Sequence, residues 1–339
     1  MATSKNGRLF FESGQTFFDY TAMTDSGDGT VYNLSAAPVF SGRSGFEPIV
    51  RPNGIVTGRN LLSASSTNDT VDVSAFTAYS AGTEYSVSAT TATITRPAGN
   101  VSKVNSITMD DSGAIAVLAG TDGATANFSE TRGAAGGPPE IPADSVEIGQ
   151  VRVATSTAGA IGAAEIFQVV GTHAERYDLP AFTINNIGTG LAAETPAKTN
   201  AFVEFADALP TIHASASRKR VYIRYNAPIY AQVARAFDYV PAENTQAITS
   251  QQYYDGTVGS VSTTLGQGSF SALTDDNITD TIIGLRDQLL TFQFFPDKNK
   301  TAYSLTQGTM GVARTFPVDN QNQADITISA EVASADFSG

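Results

Sequence analysis

Cysteine and tryptophan are both absent from this 339-residue chain. Without cysteine there is no disulfide, no thiolate nucleophile and no zinc–sulfur site. Without tryptophan, a sugar platform has only tyrosine and phenylalanine to draw on. Histidine is nearly absent too. His173 and His213 are the only two, and neither stands in a zinc-ligand spacing. No G-x-S-x-G elbow accompanies them, so both read as ordinary loop or strand-end residues. There is no P-loop and no dinucleotide fingerprint. Gly188-Thr189-Gly190 and Gly266-Gln267-Gly268 lack the rest of either pattern and read as turns. These absences leave no cofactor or metal site, and the chain is expected not to be an enzyme.

Charge is also scarce. Charged residues make up 16% of the chain, against about 25% in an ordinary soluble domain. What charge there is leans acidic, with a net of −13 and a pI near 4.5. Binding nucleic acid through phosphate neutralisation needs the opposite balance. No apolar run approaches the roughly 18 residues of a membrane helix. Met1 to Gly14 carries no apolar signal core, so the expectation is a soluble protein made in the cytoplasm, with no membrane insertion.

Hydrophobic residues reach 41%, enough for a sizeable core. Most of the remainder is Ala, Ser, Thr, Gly and Asn. That mixture suits a β-rich chain with many turns, and surfaces covered by neighbours, because interface cores are depleted in charge. The length prior favours about two domains.

Short strands separated by turn signals fill most of the sequence. Leu9-Phe10-Phe11 and Thr16 to Tyr20 read as strands. Asp25-Ser26-Gly27-Asp28-Gly29 supplies a hairpin turn before Val31 to Leu34. Val71 to Val73, Glu84 to Val87 and Thr91 to Thr95 alternate with the two-residue period of strands. Val104 to Met109 and Ala114 to Leu118 flank the turn Asp110-Asp111-Ser112-Gly113. The acidic turns resemble Ca²⁺ ligands only loosely; turn chemistry explains them better. Gly133 to Pro139 is a loop, and Val146 to Val153 resumes the strand pattern. Later strands are read over Ala201 to Phe205, Val221 to Tyr225 and Ile229 to Tyr239, and Ser260 to Leu265 precedes the expected helix. Ile326, Ile328, Ala330 and Val332 alternate with polar residues in a closing strand.

One helix is expected, over about 275–290. Ile278, Ile282, Leu285 and Leu289 recur on one helical face. Asp275, Asp276 and Asp280 crowd its start, where carboxylates favour the positive helix end. Thr291 to Phe295 then reads as a strand stopped by Pro296. The main basic cluster is Arg218-Lys219-Arg220 with Arg224 and Arg235. Arg218, Arg220 and Arg224 mark a candidate inter-subunit strand face, the alternative being a solvated one.

Three domains are drawn: an N-terminal β segment or arm (1–53), an additional β-rich domain (54–145) and a β-sandwich domain (146–339). The last resembles the major tail tube proteins of long-tailed bacteriophages, particularly Mu-like, non-contractile ones. The resemblance is carried by Gln150-Val151-Arg152-Val153, by Ala164 to Val169 and Gly171 to Asp178, by the order strand, acidic-capped helix, aromatic strand and alternating strand, and by the ending Ala335 to Gly339. It implies a mainly β fold: a tail-tube-type β-sandwich or half-barrel with one flanking α-helix, plus the additional β-rich domain. It also implies a structural virion protein, assembled in the host cytoplasm into stacked hexameric rings of itself. DNA would pass through the lumen without specific binding. Terminator, tape-measure and distal tail proteins would be its other partners. On this view the N-terminal arm bridges rings, so that deleting residues 2–14 leaves a folded subunit.

Two other classes stay open. A β-rich adhesion, baseplate or capsid-decoration protein would bind host-surface glycans through the 54–145 block. A carboxylate-dependent hydrolase would use a pair of the many acidic residues.

Overall fold

The computed structural model describes residues 6–27, 29–34, 43, 45–58, 60–168, 182–185, 202–206, 220–254, 256–318 and 320–337. The chain is mainly β, built from several antiparallel sheets.

The body is a nine-stranded sheet. Its strand order is Ala236–Val240, Gly268–Leu273, Gln323–Ser329, Tyr303–Thr315, Leu289–Phe295, Arg8–Ala22, Val221–Gln232 and Ile49–Pro52, with Ala335–Phe337 paired beside Tyr303–Thr315. The first strand is therefore central. Arg8 to Phe11 pair with Phe295 to Phe292 on one side, and Phe10 onward pairs with Val221–Gln232 on the other. Leu9 and Phe11 are buried in the core. The N-terminal segment is thus not a detachable arm, because removing residues 2–14 would take out the strand that joins the two halves of the sheet. The separate strands expected at Leu9 and Thr16 are one continuous strand, kinked by a bulge between Glu12 and Gly14.

Alternation along these strands separates two faces. Leu9, Phe11, Leu290, Phe292, Met310, Ile326 and Ile328 gather in one core. At the other end of the sheet, Val221, Ile223 and Tyr225 pack against Met23, Tyr32, Leu34, Val203 and Phe205. Several of these belong to a small four-stranded sheet made of Thr24–Asp25, Val31–Asn33, Phe202–Phe205 and Phe182–Asn185. That layer gives this end a two-sheet packing.

Residues Gly54 to Gln168 form a second body inserted into the first. Three small sheets enclose one core of Ile55, Val71, Phe76, Ile107, Met109, Ile148 and Val151. Val146–Val153 lies between Lys103–Met109 and Ile166–Gln168 in the same sheet. The boundary expected at 145 therefore cuts a sheet, and Gln150 to Val153 belong to the insert. The turn at Asp110 is held by its own carboxylate, which accepts the N–H groups of Ser112 and Ala114. Inside the insert, Arg132 and Glu147 form a fully buried ion pair at 2.7 Å.

The insert is docked on the body. The Tyr222 hydroxyl donates to Asp144 at 2.7 Å, and Ala81 N–H donates to Asn53 Oδ1 at 3.0 Å. The Arg51 guanidinium lies 5.1 Å from the Tyr79 ring centre. Gly82 has a φ of +79°, and a Cβ there would sit 2.3 Å from the Tyr20 ring, so glycine alone allows this approach.

The expected helix is the main departure. Only Thr281–Gly284 is α-helical. Side chains take the amide groups that would have begun a longer helix. Asp276 accepts from the N–H groups of Ile278 and Thr279, and Asp280 accepts from those of Asp275, Asp276 and Asn277. Asn277 sits at φ 59° and Asp287 at φ 63°, left-handed values that interrupt a helix at both positions. Leu289 already belongs to the next strand, paired with Thr309. The strand expected over Ile229 to Tyr239 is likewise split at Arg235, whose φ is 54°.

A candidate assembly surface

The most exposed regular element is a hairpin, Asn244–Tyr253 paired with Gly256–Leu265. Each strand has 10 residues, which makes an arm about 33 Å long at the usual rise. Its strands pair with each other and, among the described residues, with no other strand. Every residue from 244 to 250 and from 261 to 264 is exposed. Ile248 stands directly opposite Val261, and the two are 76% and 62% exposed. Neither strand contains Asp, Glu, Lys, Arg or Pro.

That combination is unusual for a free hairpin. A two-stranded ribbon alone is marginal in water. Open strand edges are ordinarily guarded by charge or proline, because bare N–H and C=O groups recruit other strands. Here both edges are bare, and Thr, Val and Ile favour extended backbone.

The large sheet adds two more edges. Phe237 and Val240 are exposed on the outermost strand at one end, and Ile49 on the outermost strand at the other. Phe17 and Ile229 are exposed on the strands between. A polar cluster anchors the opposite side of the central strand from Leu9 and Phe11. Glu12 is fully buried; it accepts from Gln15 Nε2 at 2.8 Å and from Thr291 N and Oγ1 at 3.2 and 3.1 Å. Arg43 approaches it at 3.5 Å and donates to Gln288 at 2.6 Å. The Tyr230 hydroxyl donates to Thr291 Oγ1 at 3.0 Å, and burial raises its pKa above the ordinary tyrosine value. With every Glu12 oxygen engaged, the cluster serves as a clamp on the Arg43 segment.

The residues singled out from sequence are scattered. Ile282 is buried beside Ile283, and Leu285 packs against the same core. Ile278 is 67% exposed on a turn, and Leu289 opens a strand, so the four do not form one face. Ile326 and Ile328 are buried as expected, whereas Val332 lies beyond the strand end and is exposed. Arg224 is exposed, 4.9 Å from the Phe17 ring centre, and Arg220 precedes the strand, its carbonyl accepting from Asn53 N–H. Arg218, His173 and His213 lie outside the described residues, as does all of Gly171 to Asp178. The hairpin was missed in the sequence; its signal was a charge-free, Thr- and Ser-rich run on both sides of Asp255-Gly256.

Among the described residues no group of three acidic or histidine side chains could hold a metal ion. Among the described residues no helix is long and apolar enough to cross a membrane. No protein-family model, no curated protein and no solved structure matches the chain.

Proposed function

We propose that this protein is a self-assembling structural subunit, and that its assembly is a bacteriophage tail tube of stacked rings. The observation that carries the reading is the hairpin of residues 244–265, whose two strands hold no charged residue or proline and pair with no other described strand, leaving edges that a second chain can take. Exposed apolar residues on both outermost strands of the large sheet support lateral contact as well. Sheets joined edge to edge around a ring would leave no open edge. The acid excess suits a lumen along which DNA slides, since like charge repels phosphate within about 8 Å at physiological salt.

Sedimentation velocity over a rising concentration series tests this. A subunit of this kind passes from monomer to large oligomers; a monomer at every concentration overturns the proposal.

The second reading, an adhesion or decoration protein that binds host glycans, draws on the insert. There Arg152 lies 4.5 Å from the half-exposed Phe167 ring and is paired to Glu130. A polar–aromatic patch of that kind suits a sugar ring. Saccharide binding by a stable low-order oligomer would favour it over the tube.

A further inference from the structure

The outer face of the central strands holds a cavity of about 490 Å³. Phe10, Phe295 and Tyr303 give it an aromatic wall, and Arg8, Lys298 and Lys300 stand at its mouth. None of the three cations has a carboxylate partner among the described residues. This is a local cationic site in a chain with 33 acidic and 20 basic residues.

The converse feature lies on the 275–280 turn. Ile278 is an isoleucine held out in water, 67% exposed. The turn beneath it is rigid. Asp276 and Asp280 together accept five of its backbone N–H groups, and buried Asn277 donates to the carbonyls of Thr315 and Gln323 at 3.0 and 2.9 Å. Asp275 beside it has an 83% exposed side chain and is paired to Arg235 at 2.8 Å. The three carboxylates of the turn outnumber the two guanidinium groups beside them, Arg235 and Arg314, so an apolar knob with a net acidic flank complements an apolar cavity lined by cations. Because the knob is already ordered, docking it costs little conformational entropy.

The two features cannot meet within one molecule. Phe11 lines the cleft beside the turn, while Phe10 lines the cavity. Consecutive residues of a strand point to opposite faces of its sheet. The turn and the cavity are therefore on opposite sides of the same sheet.

We infer that the cavity receives the 275–280 turn of a second copy of this chain. Ile278 enters between the aromatic side chains, and the acidic side of its turn faces Arg8, Lys298 and Lys300, with Asp275 sharing its carboxylate with Arg235. The contact is head-to-tail, using a different surface on each copy, so it repeats and either closes into a ring or extends. It rests on the reading of the chain as a self-assembling subunit and names the two surfaces that meet.

The absence of native cysteine makes the test direct. Ile278→Cys and Thr301→Cys, the latter at the cavity mouth, are mixed under mild oxidation while particles are followed by electron microscopy. Ile278→Cys mixed with Val318→Cys, at a fully exposed site, is the control. The expected result is a disulfide-linked dimer from the first mixture, formed at least tenfold faster than in the control. A single chain carrying both I278C and T301C gives a ladder of higher species. Particles without this link overturn the contact while leaving the assembly reading intact. A link without particles supports the contact and counts against the tube. Neither link nor particles overturns both.

Discussion

Ile248 and Val261 face each other across the exposed hairpin, and neither touches a core. On the proposed reading a second copy covers them. Ile248→Lys with Val261→Lys should therefore leave the melting temperature of the subunit nearly unchanged, since exposed substitutions cost within about 0.5 kcal/mol. The same variant should lose assembly in sedimentation velocity. Large oligomers formed as readily as by the parent chain would show that the hairpin is not a contact.

The 275–290 region separates into exposed and buried apolar residues. Ile282→Ala should destabilise by about 2–5 kcal/mol, because Ile282 is buried with Phe292 and Leu290. Ile278→Ala should fall within about 0.5 kcal/mol in the monomer, because its side chain is in water. Chemical denaturation measures both. Equal losses would restore the single helical face that the sequence suggests.

This region also shows where the sequence was legible and where it was not. The turn at Asp110-Gly113 and the alternation at Ile326 and Ile328 depend on neighbours in the chain, and both were readable. The spacing of Ile278, Ile282, Leu285 and Leu289 is helical only if the backbone amides stay free for helix bonds. Asp276 and Asp280 take them instead, as short polar side chains do near turns. The central place of Arg8–Ala22 depends on pairing with residues more than 200 positions away, which no local pattern records. The hairpin of residues 244–265 was missed because period-two alternation reports a buried face, and this hairpin has none among its described residues.

The buried Arg132–Glu147 pair in the insert gives a pH-dependent prediction. Burial raises the Glu147 pKa above 4.5, opposed mainly by Arg132. The folded insert thus holds a proton more readily than the unfolded chain, so this group's contribution falls as pH rises above about 4.5. Arg132→Ala removes the compensating charge and should cost about 3–5 kcal/mol at neutral pH. Lowering the pH towards 5 should recover part of that loss in calorimetry. A variant as stable as the parent at pH 7.5, or one that gains nothing on acidification, contradicts the pairing.

Asp276 should titrate abnormally low. The Thr279 hydroxyl and the N–H groups of Ile278 and Thr279 hold its carboxyl at about 2, against an ordinary 3.8. Its folded pKa is depressed, so the stabilisation is present above 3.8 and is lost as pH falls towards 2. Carboxyl carbon shifts in NMR should show the low midpoint, with the Ile278 and Thr279 amides protected from exchange until the same range. A midpoint at the ordinary value would mean that the turn is not held as described.

The central claim is that copies of this chain assemble through surfaces left bare on the subunit. Electron micrographs of the purified full-length protein test it most directly, with the Ile248→Lys, Val261→Lys variant imaged beside it. The parent should form rings or stacked tubes, and the variant should not. A field of isolated subunits for the parent, at high concentration and physiological salt, would contradict the account.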